Sequence, residues 1–151
     1  IVERIAGTAL RLRHKVQQIP QELWTKRNGE DWSVQEHVGH LYDLEPLWYG
    51  RIGDILADME IMREADLSNR KTHEAHHNEN KMEKLLKAFE NDRAKFVDRI
   101  SNISIEDAQK SALHPRLMQP MKLIDLAFFV AEHDDHHLAM ISWVTKTLQR
   151  K

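Results

Sequence analysis

The sequence predicts an all-α protein built as a four-helix bundle, on three observations. Four long segments carry apolar residues at helical spacing, joined by polar stretches. Glycine and proline are scarce, five and four among 151 residues. The alternation of β-branched residues that marks strands is nearly absent. The length fits one domain spanning residues 1–151. A chain of this size hides about 68–70% of its unfolded surface on folding, enough for a core without staples.

The first segment runs from about Val2 to Ile19, with Ile5, Ala9, Leu12 and Val16 on one stripe and Pro20 as its stop. Lys26-Arg27-Asn28-Gly29-Glu30 reads as a loop. The second segment opens at Trp32-Ser33-Val34-Gln35-Glu36, where Ser33 and Glu36 stand at capping-box spacing. It continues to about Ala57 through Val34, Val38, Leu41, Trp48, Ile52 and Ile55. Pro46 lies inside it and should kink or divide the helix, because its ring removes one backbone bond and crowds the carbonyl of Tyr42. From Asp58 to about Asn80 the periodicity fades into a long connection, which permits a crossover instead of simple up-and-down packing. The third segment, about Lys81 to Ile100, carries Leu85, Phe89, Phe96 and Ile100, flanked by Leu86, Arg93 and Val97. Ser104-Ile105-Glu106-Asp107 starts a short extra helix, and His114-Pro115-Arg116 is a loop. The fourth segment runs from near Met121 to about Leu148, with Leu123, Leu126, Val130, Val144 and Leu148 on one face.

Composition narrows the function. Twenty-two basic and 24 acidic residues leave a formal charge of −2, a poor match for sequence-independent nucleic-acid binding. Without cysteine there is no disulfide, thiolate zinc site or cysteine nucleophile. No apolar run approaches the ~20 residues that cross a bilayer, and no signal peptide is evident. The expected setting is cytoplasmic, with neither membrane nor nucleic acid as partner.

Ten histidines stand out. His133 and His137 are one helical turn apart in Ala131-Glu132-His133-Asp134-Asp135-His136-His137-Leu138, and both fall within the apolar stripe of the fourth segment. Polar rings on a core-facing line need partners, and one metal ion would satisfy both. The plainer reading is that each ring bonds a nearby carboxylate or carbonyl. A third ligand should come from a facing helix, and the second segment offers His37 and His40. Periodicity places His37 nearer the centre of the apolar face and His40 nearer its edge, which does not decide between them.

Trp32-Ser33-Val34-Gln35-Glu36-His37-Val38-Gly39-His40-Leu41, together with His133-Asp134-Asp135-His136-His137 and the His114-Pro115-Arg116-Leu117 loop, resembles the DinB-like four-helix-bundle superfamily. That superfamily includes metal-dependent hydrolases and bacillithiol-transferase-like enzymes. The resemblance spans essentially the whole chain and implies a DinB/YfiT-like antiparallel bundle. It implies a three-histidine site for a divalent ion such as zinc or nickel, with His40, His133 and His137 at the matching positions. It therefore selects His40 over His37. Three imidazoles leave a coordination position open for water or substrate. The implied function is a metal-dependent enzyme, a hydrolase or a thiol S-transferase, activating water or a low-molecular-weight thiol toward a small substrate. The absence of cysteine is compatible with a sulfur that arrives with the cosubstrate. A homodimer is also implied. The rival is a non-catalytic, metal-stabilised and stress-associated helical module for binding or dimerisation.

The remaining polar residues carry smaller expectations. His37 and His136 are expected beside the site or at the surface. Asp134 and Asp135 fall away from the core face and are expected in solvent or at a helix-end contact. Glu45 either orients a histidine, acts as a base or pairs with a neighbouring helix. His73, His76 and His77 read as a solvated helix entry, and His114 as the mouth of a pocket. The four tryptophans are read as bundle packing.

Overall fold

The computed structural model describes residues 1–150. Four long helices form the bundle: α1 (Val2–Gln17), α2 (Val34–Leu56), α4 (Met82–Ser101) and α6 (Leu123–Gln149). Two short helices, α3 (Arg70–Glu74) and α5 (Ile105–Gln109), and a hairpin of β1 (Ser111–Leu113) and β2 (Pro120–Lys122) fill the connections. Single 3-10 turns occur at Gln21–Leu23 and His77–Glu79.

The local chemistry of the helix starts is as the sequence predicts. Ser33 accepts from the Glu36 amide at 3.1 Å, and the Glu36 carboxylate accepts from the Ser33 amide at 2.8 Å. Arg27 pairs with the same carboxylate and holds it below its usual range against the opposing effect of burial. Ser104 caps α5 by accepting from Asp107. Pro46 neither divides nor ends α2, which runs unbroken through it. The ring sits on the exposed face of the helix.

Two apolar clusters fill the bundle, one at each end. Ile5 meets Ile52 and Ile55, Phe96 and Ile100, and Leu126 and Val130. Leu12 and Val16 meet Val34 and Val38, Leu85 and Phe89, and Ile141 and Val144. The order of residues through these clusters fixes the helix directions. α1 and α6 run one way, α2 and α4 the other. α2 packs on α4 and α6, and α1 packs on α4 and α6, so α1 and α2 lie diagonally opposed. The antiparallel bundle implied by the resemblance therefore needs correcting: the neighbours α2 and α4 are parallel, as are α1 and α6. A parallel neighbour can be reached only by a connection that travels the length of the bundle. Residues 57–81 make that journey, which is the crossover their length permitted.

A polar layer separates the two clusters. Arg93 of α4 is 1% exposed and pairs with Glu45 of α2 at 2.6 Å and with Asp134 of α6. Thr8 of α1 donates to Asp134 at 2.7 Å. All four long helices thus contribute one residue. Asp134 is fully buried, against the expectation that it faces solvent. The reason is that α6 packs on two helices at once, so its buried surface is wider than the stripe read from one face. Asp135 lies at the rim and binds Arg4 and Arg11 of α1. The hairpin was not legible from three-residue strands; it is tied to the crossover where the Met62 amide donates to the Leu113 carbonyl and the Leu113 amide donates to the Glu60 carbonyl.

Candidate metal centre

His40 of α2 and His133 and His137 of α6 each present one ring nitrogen, and the three lie within 4.8 Å of one another. The antiparallel packing of α2 on α6 brings them together, and the one-turn spacing of His133 and His137 puts both on the face toward α2. Ring centroids are 4.5 Å apart for His133 and His137, 4.7 Å for His40 and His137, and 5.4 Å for His40 and His133. Burial, reinforced by the neighbouring imidazoles, lowers the pKa of His40 to about 4 and that of His137 further. Burial likewise takes His133 to about 4, with His136 and Arg93 adding to it. The three rings are therefore neutral near pH 7 and carry free lone pairs, the form in which imidazole binds a metal.

The hydrogen bonds around the cluster assign the lone pair of His40. Thr72 Oγ1 donates to Asp43 Oδ2 at 2.9 Å, so at 3.0 Å it accepts from His40 Nδ1. Nε2 of His40 is left to face the other rings. The Asp43 oxygen also accepts from His77 Nε2 at 2.8 Å. Nδ1 of His137 is paired with Nδ1 of His37 at 2.9 Å, so Nε2 is the nitrogen of His137 outside that bond. Nδ1 of His133 is buried with no partner. Neutral nitrogen donors, two of them oriented by outer partners and one ring carrying an orphaned nitrogen, fit a divalent cation of the kind imidazole favours.

Two neighbours of the cluster escaped sequence reasoning. His77 is buried, not solvated, because Gly39 clears a space on α2 into which its ring settles; a Cβ at Gly39 would collide with that ring. Gln35 fixes the approach by donating to the carbonyls of His77 and Asn80, both at 2.6 Å. An isolated glycine inside a helical pattern was the available signal. Trp32 is the second: its ring lies 4.7 Å from His40 and stacks at 6.2 Å on His137, so it walls the cluster instead of packing the bundle. Of the other tryptophans, Trp48 is core and Trp143 is exposed. His73, His76 and His136 are exposed, as expected. Glu45 belongs to the Arg93 layer, the ion-pair reading among those weighed for it.

The histidines open onto a cavity of about 660 Å³. Leu44, Leu47, Trp48 and Phe129 form its apolar wall, and the crossover around Asp66 and Leu67 and the His114-Pro115-Arg116 loop form its rim. His114 does stand at the mouth.

Residues 5–141 match the DinB superfamily. The chain belongs to that superfamily. Its fold is shared by YfiT from Bacillus subtilis, described as a probable metal-dependent hydrolase with an unusual four-helix bundle topology. The TM-score is 0.82 at 16% identity, over 98% of this chain and 85% of that one. A mycothiol-dependent maleylpyruvate isomerase shares it at TM-score 0.72 and 9% identity, over 91% of this chain and 57% of the longer one. A protein from Streptococcus pneumoniae matches at TM-score 0.74 and 12% identity, over 96% of this chain and 88% of that one. No curated protein matches the sequence. At these identities the DinB-superfamily likeness establishes the fold, and the chemistry must come from the site itself.

Proposed function

We propose that this DinB-superfamily chain is a metal-dependent enzyme for a small substrate, with His40, His133 and His137 holding a divalent ion, zinc or nickel. One observation carries the reading: three neutral imidazoles converge at the floor of an open cavity. A bound divalent ion would supply Lewis acidity, lowering the pKa of a coordinated water or thiol. The chain's own residues do the rest. Thr72 and Asp43 keep the proton of His40 on Nδ1 and so aim Nε2 at the site. His37 holds His137 in register. Trp32, Trp48 and Phe129 pack against the rings and fix their placement. With no cysteine in the chain, a thiol would have to enter as a cosubstrate, and the nucleophile of a hydrolysis would be water. The mycothiol-dependent neighbour supports the thiol form, and YfiT supports the hydrolase form.

The non-catalytic alternative needs a closed site that only braces the fold. The cavity argues against it, since a structural ion is enclosed by its ligands. Exposed apolar side chains on α6, among them Ile124, Phe128 and Trp143, support a homodimer, which light scattering of the purified chain tests.

Metal analysis decides the site. Wild type is expected to carry about one equivalent of zinc or nickel and His137→Ala almost none. Equal, negligible metal in both would end the proposal. Cobalt-substituted protein separates enzyme from brace: added small thiol should change the visible spectrum of an open site, and an unchanged spectrum favours the brace.

A further inference from the structure

The cavity has a second polar feature, three turns of helix away from the histidines. His40, Leu44, Leu47 and Arg51 follow at intervals of four, three and four, so they line one face of α2. Eleven residues at 1.5 Å each separate the Cα atoms of His40 and Arg51 by about 16 Å along the axis. Arg51 is 2% exposed and borders the cavity. Nε donates to the Arg63 carbonyl at 3.1 Å, and the guanidinium lies over Trp48 at 5.8 Å. The Nη nitrogens have no hydrogen-bond partner among the described residues, and no carboxylate pairs with this cation.

A buried arginine with no carboxylate in direct contact is unusual, because a charge taken from water must be compensated; here Asp54 acts on it only from a distance. The nearest acid, Asp54, is committed elsewhere. Its carboxylate accepts from Arg63 at the backbone amide (2.9 Å), Nε (2.8 Å) and Nη2 (2.7 Å). Gly50 makes room for this, since a Cβ there would strike the Arg63 guanidinium. Arg63 thus consumes the local negative charge and orients Arg51 by its carbonyl. Across the rim, His114 Nδ1 accepts from the amides of Arg116 and Leu117, both at 3.3 Å, so its Nε2 carries the proton of the neutral ring and is a donor. Arg51, His114 and Arg116 line the same cavity, and burial first, then these two cations, disfavours the charged form of His114. The carboxylates at the same rim, Glu64 and Asp66, are exposed, and Asp66 is occupied by Ser68 and the Arg70 amide.

We propose that Arg51, with His114 on the rim of the same cavity, is the anchor for a carboxylate group of the substrate. The ligand is then elongated, with an apolar middle against Leu44, Leu47, Trp48 and Phe129, a reacting end at the histidines and a carboxylate at Arg51. A planar guanidinium with two free nitrogens matches a carboxylate in a forked pair. One cation with no carboxylate in salt-bridge contact suits a single negative charge, and the acids at the rim weigh more heavily against a dianion such as phosphate than against a monoanion. The inference rests on the cavity being the substrate site of the proposed enzyme. It does not rest on the metal.

The test uses metal-free protein with hexanoate as probe, hexan-1-ol as its neutral counterpart and inorganic phosphate as the competing anion. Binding is followed by tryptophan fluorescence and calorimetry. Hexanoate is expected to bind at least tenfold more tightly than hexan-1-ol and than phosphate. Arg51→Met should weaken hexanoate at least tenfold and leave hexan-1-ol within twofold, and Arg51→Lys should fall between. Should Arg51→Met not fold, the ring resonances of His114 in wild type supply the readout: hexanoate should shift them and hexan-1-ol should not. Equal binding of acid and alcohol, tighter binding of phosphate, an undiminished hexanoate affinity in Arg51→Met or an unmoved His114 each overturns the proposal. Metal content, measured on the protein as purified before its metal is removed, tests the enzyme reading, so the two can fail separately.

Discussion

The hydroxyl of Thr72 stands 3.0 Å from Nδ1 of His40 and gives its own proton to Asp43. This one contact sets the tautomer of the ring and therefore which nitrogen faces the cluster. Thr72→Val keeps the shape and removes the acceptor. Removing such an outer partner typically costs 10–100-fold in metal affinity. The variant is expected to bind zinc or nickel that much more weakly in a competition titration with a chelating dye, with its melting temperature in chelator little changed. Unaltered affinity would mean the contact orients nothing.

Acid should destabilise the metal-free protein early. Burial holds His37, His40 and His133 at about 4 and His137 lower, against 6.5 in the unfolded chain. Above pH 6.5 neither state binds these protons. As pH falls below 6.5 the unfolded chain takes them up first and stability drops, until the folded rings titrate near pH 4. Each ring contributes a slope of roughly 1.4 kcal/mol per pH unit inside that window. Urea midpoints measured in chelator should fall steadily from pH 6.5 to pH 5, above the carboxylate range. A flat profile there would contradict burial of the rings.

Arg93 neutralises two buried carboxylates on different helices. Arg93→Ala would strand Glu45 and Asp134 without their counter-charge, and breaking a buried pair from one side costs about 3–5 kcal/mol. Denaturant unfolding should show a loss of that order. Replacing Arg93, Glu45 and Asp134 together by Met, Leu and Leu should recover most of it, since apolar groups of similar volume do not need pairing. A single variant as stable as wild type would show that the layer is not buried as described.

Gly39→Ala pits helix propensity against a collision. Alanine favours the helix by up to about 1 kcal/mol, but its Cβ would overlap the His77 ring, and overpacking costs about 1–3 kcal/mol. Net destabilisation is expected, together with loss of the His77 to Asp43 bond. Adding His77→Ala should relieve the collision. A Gly39→Ala protein more stable than wild type by differential scanning calorimetry would refute the close approach.

The apolar stripes located all four long helices, and the Ser33–Glu36 pair set the start of α2, because both signals are local. The one-turn spacing of His133 and His137 inside a stripe was equally local. The third ring was not: His37 and His40 share the buried face of α2, and only the packing of α6 separates their roles. Asp134 and His77 were misread for one reason. Each is buried by an element distant in sequence, α1 and α4 for Asp134 and the Gly39 hollow for His77. Periodicity along one helix cannot register a neighbour that arrives from the far side. Pro46 was misread for the opposite reason, since an exposed face tolerates what a packed one does not.

In this winding, no two successive long helices form an antiparallel hairpin side by side. α1 and α2 are diagonal, α2 and α4 are parallel, and α4 and α6 are again diagonal. A growing polypeptide therefore has no early, self-contained piece to settle into, and most stabilising partners are distant along the thread. Two of the three rings reside on α6, the last of the four to emerge during synthesis. Capture of an ion at that triad would thus report that the whole tertiary arrangement has assembled.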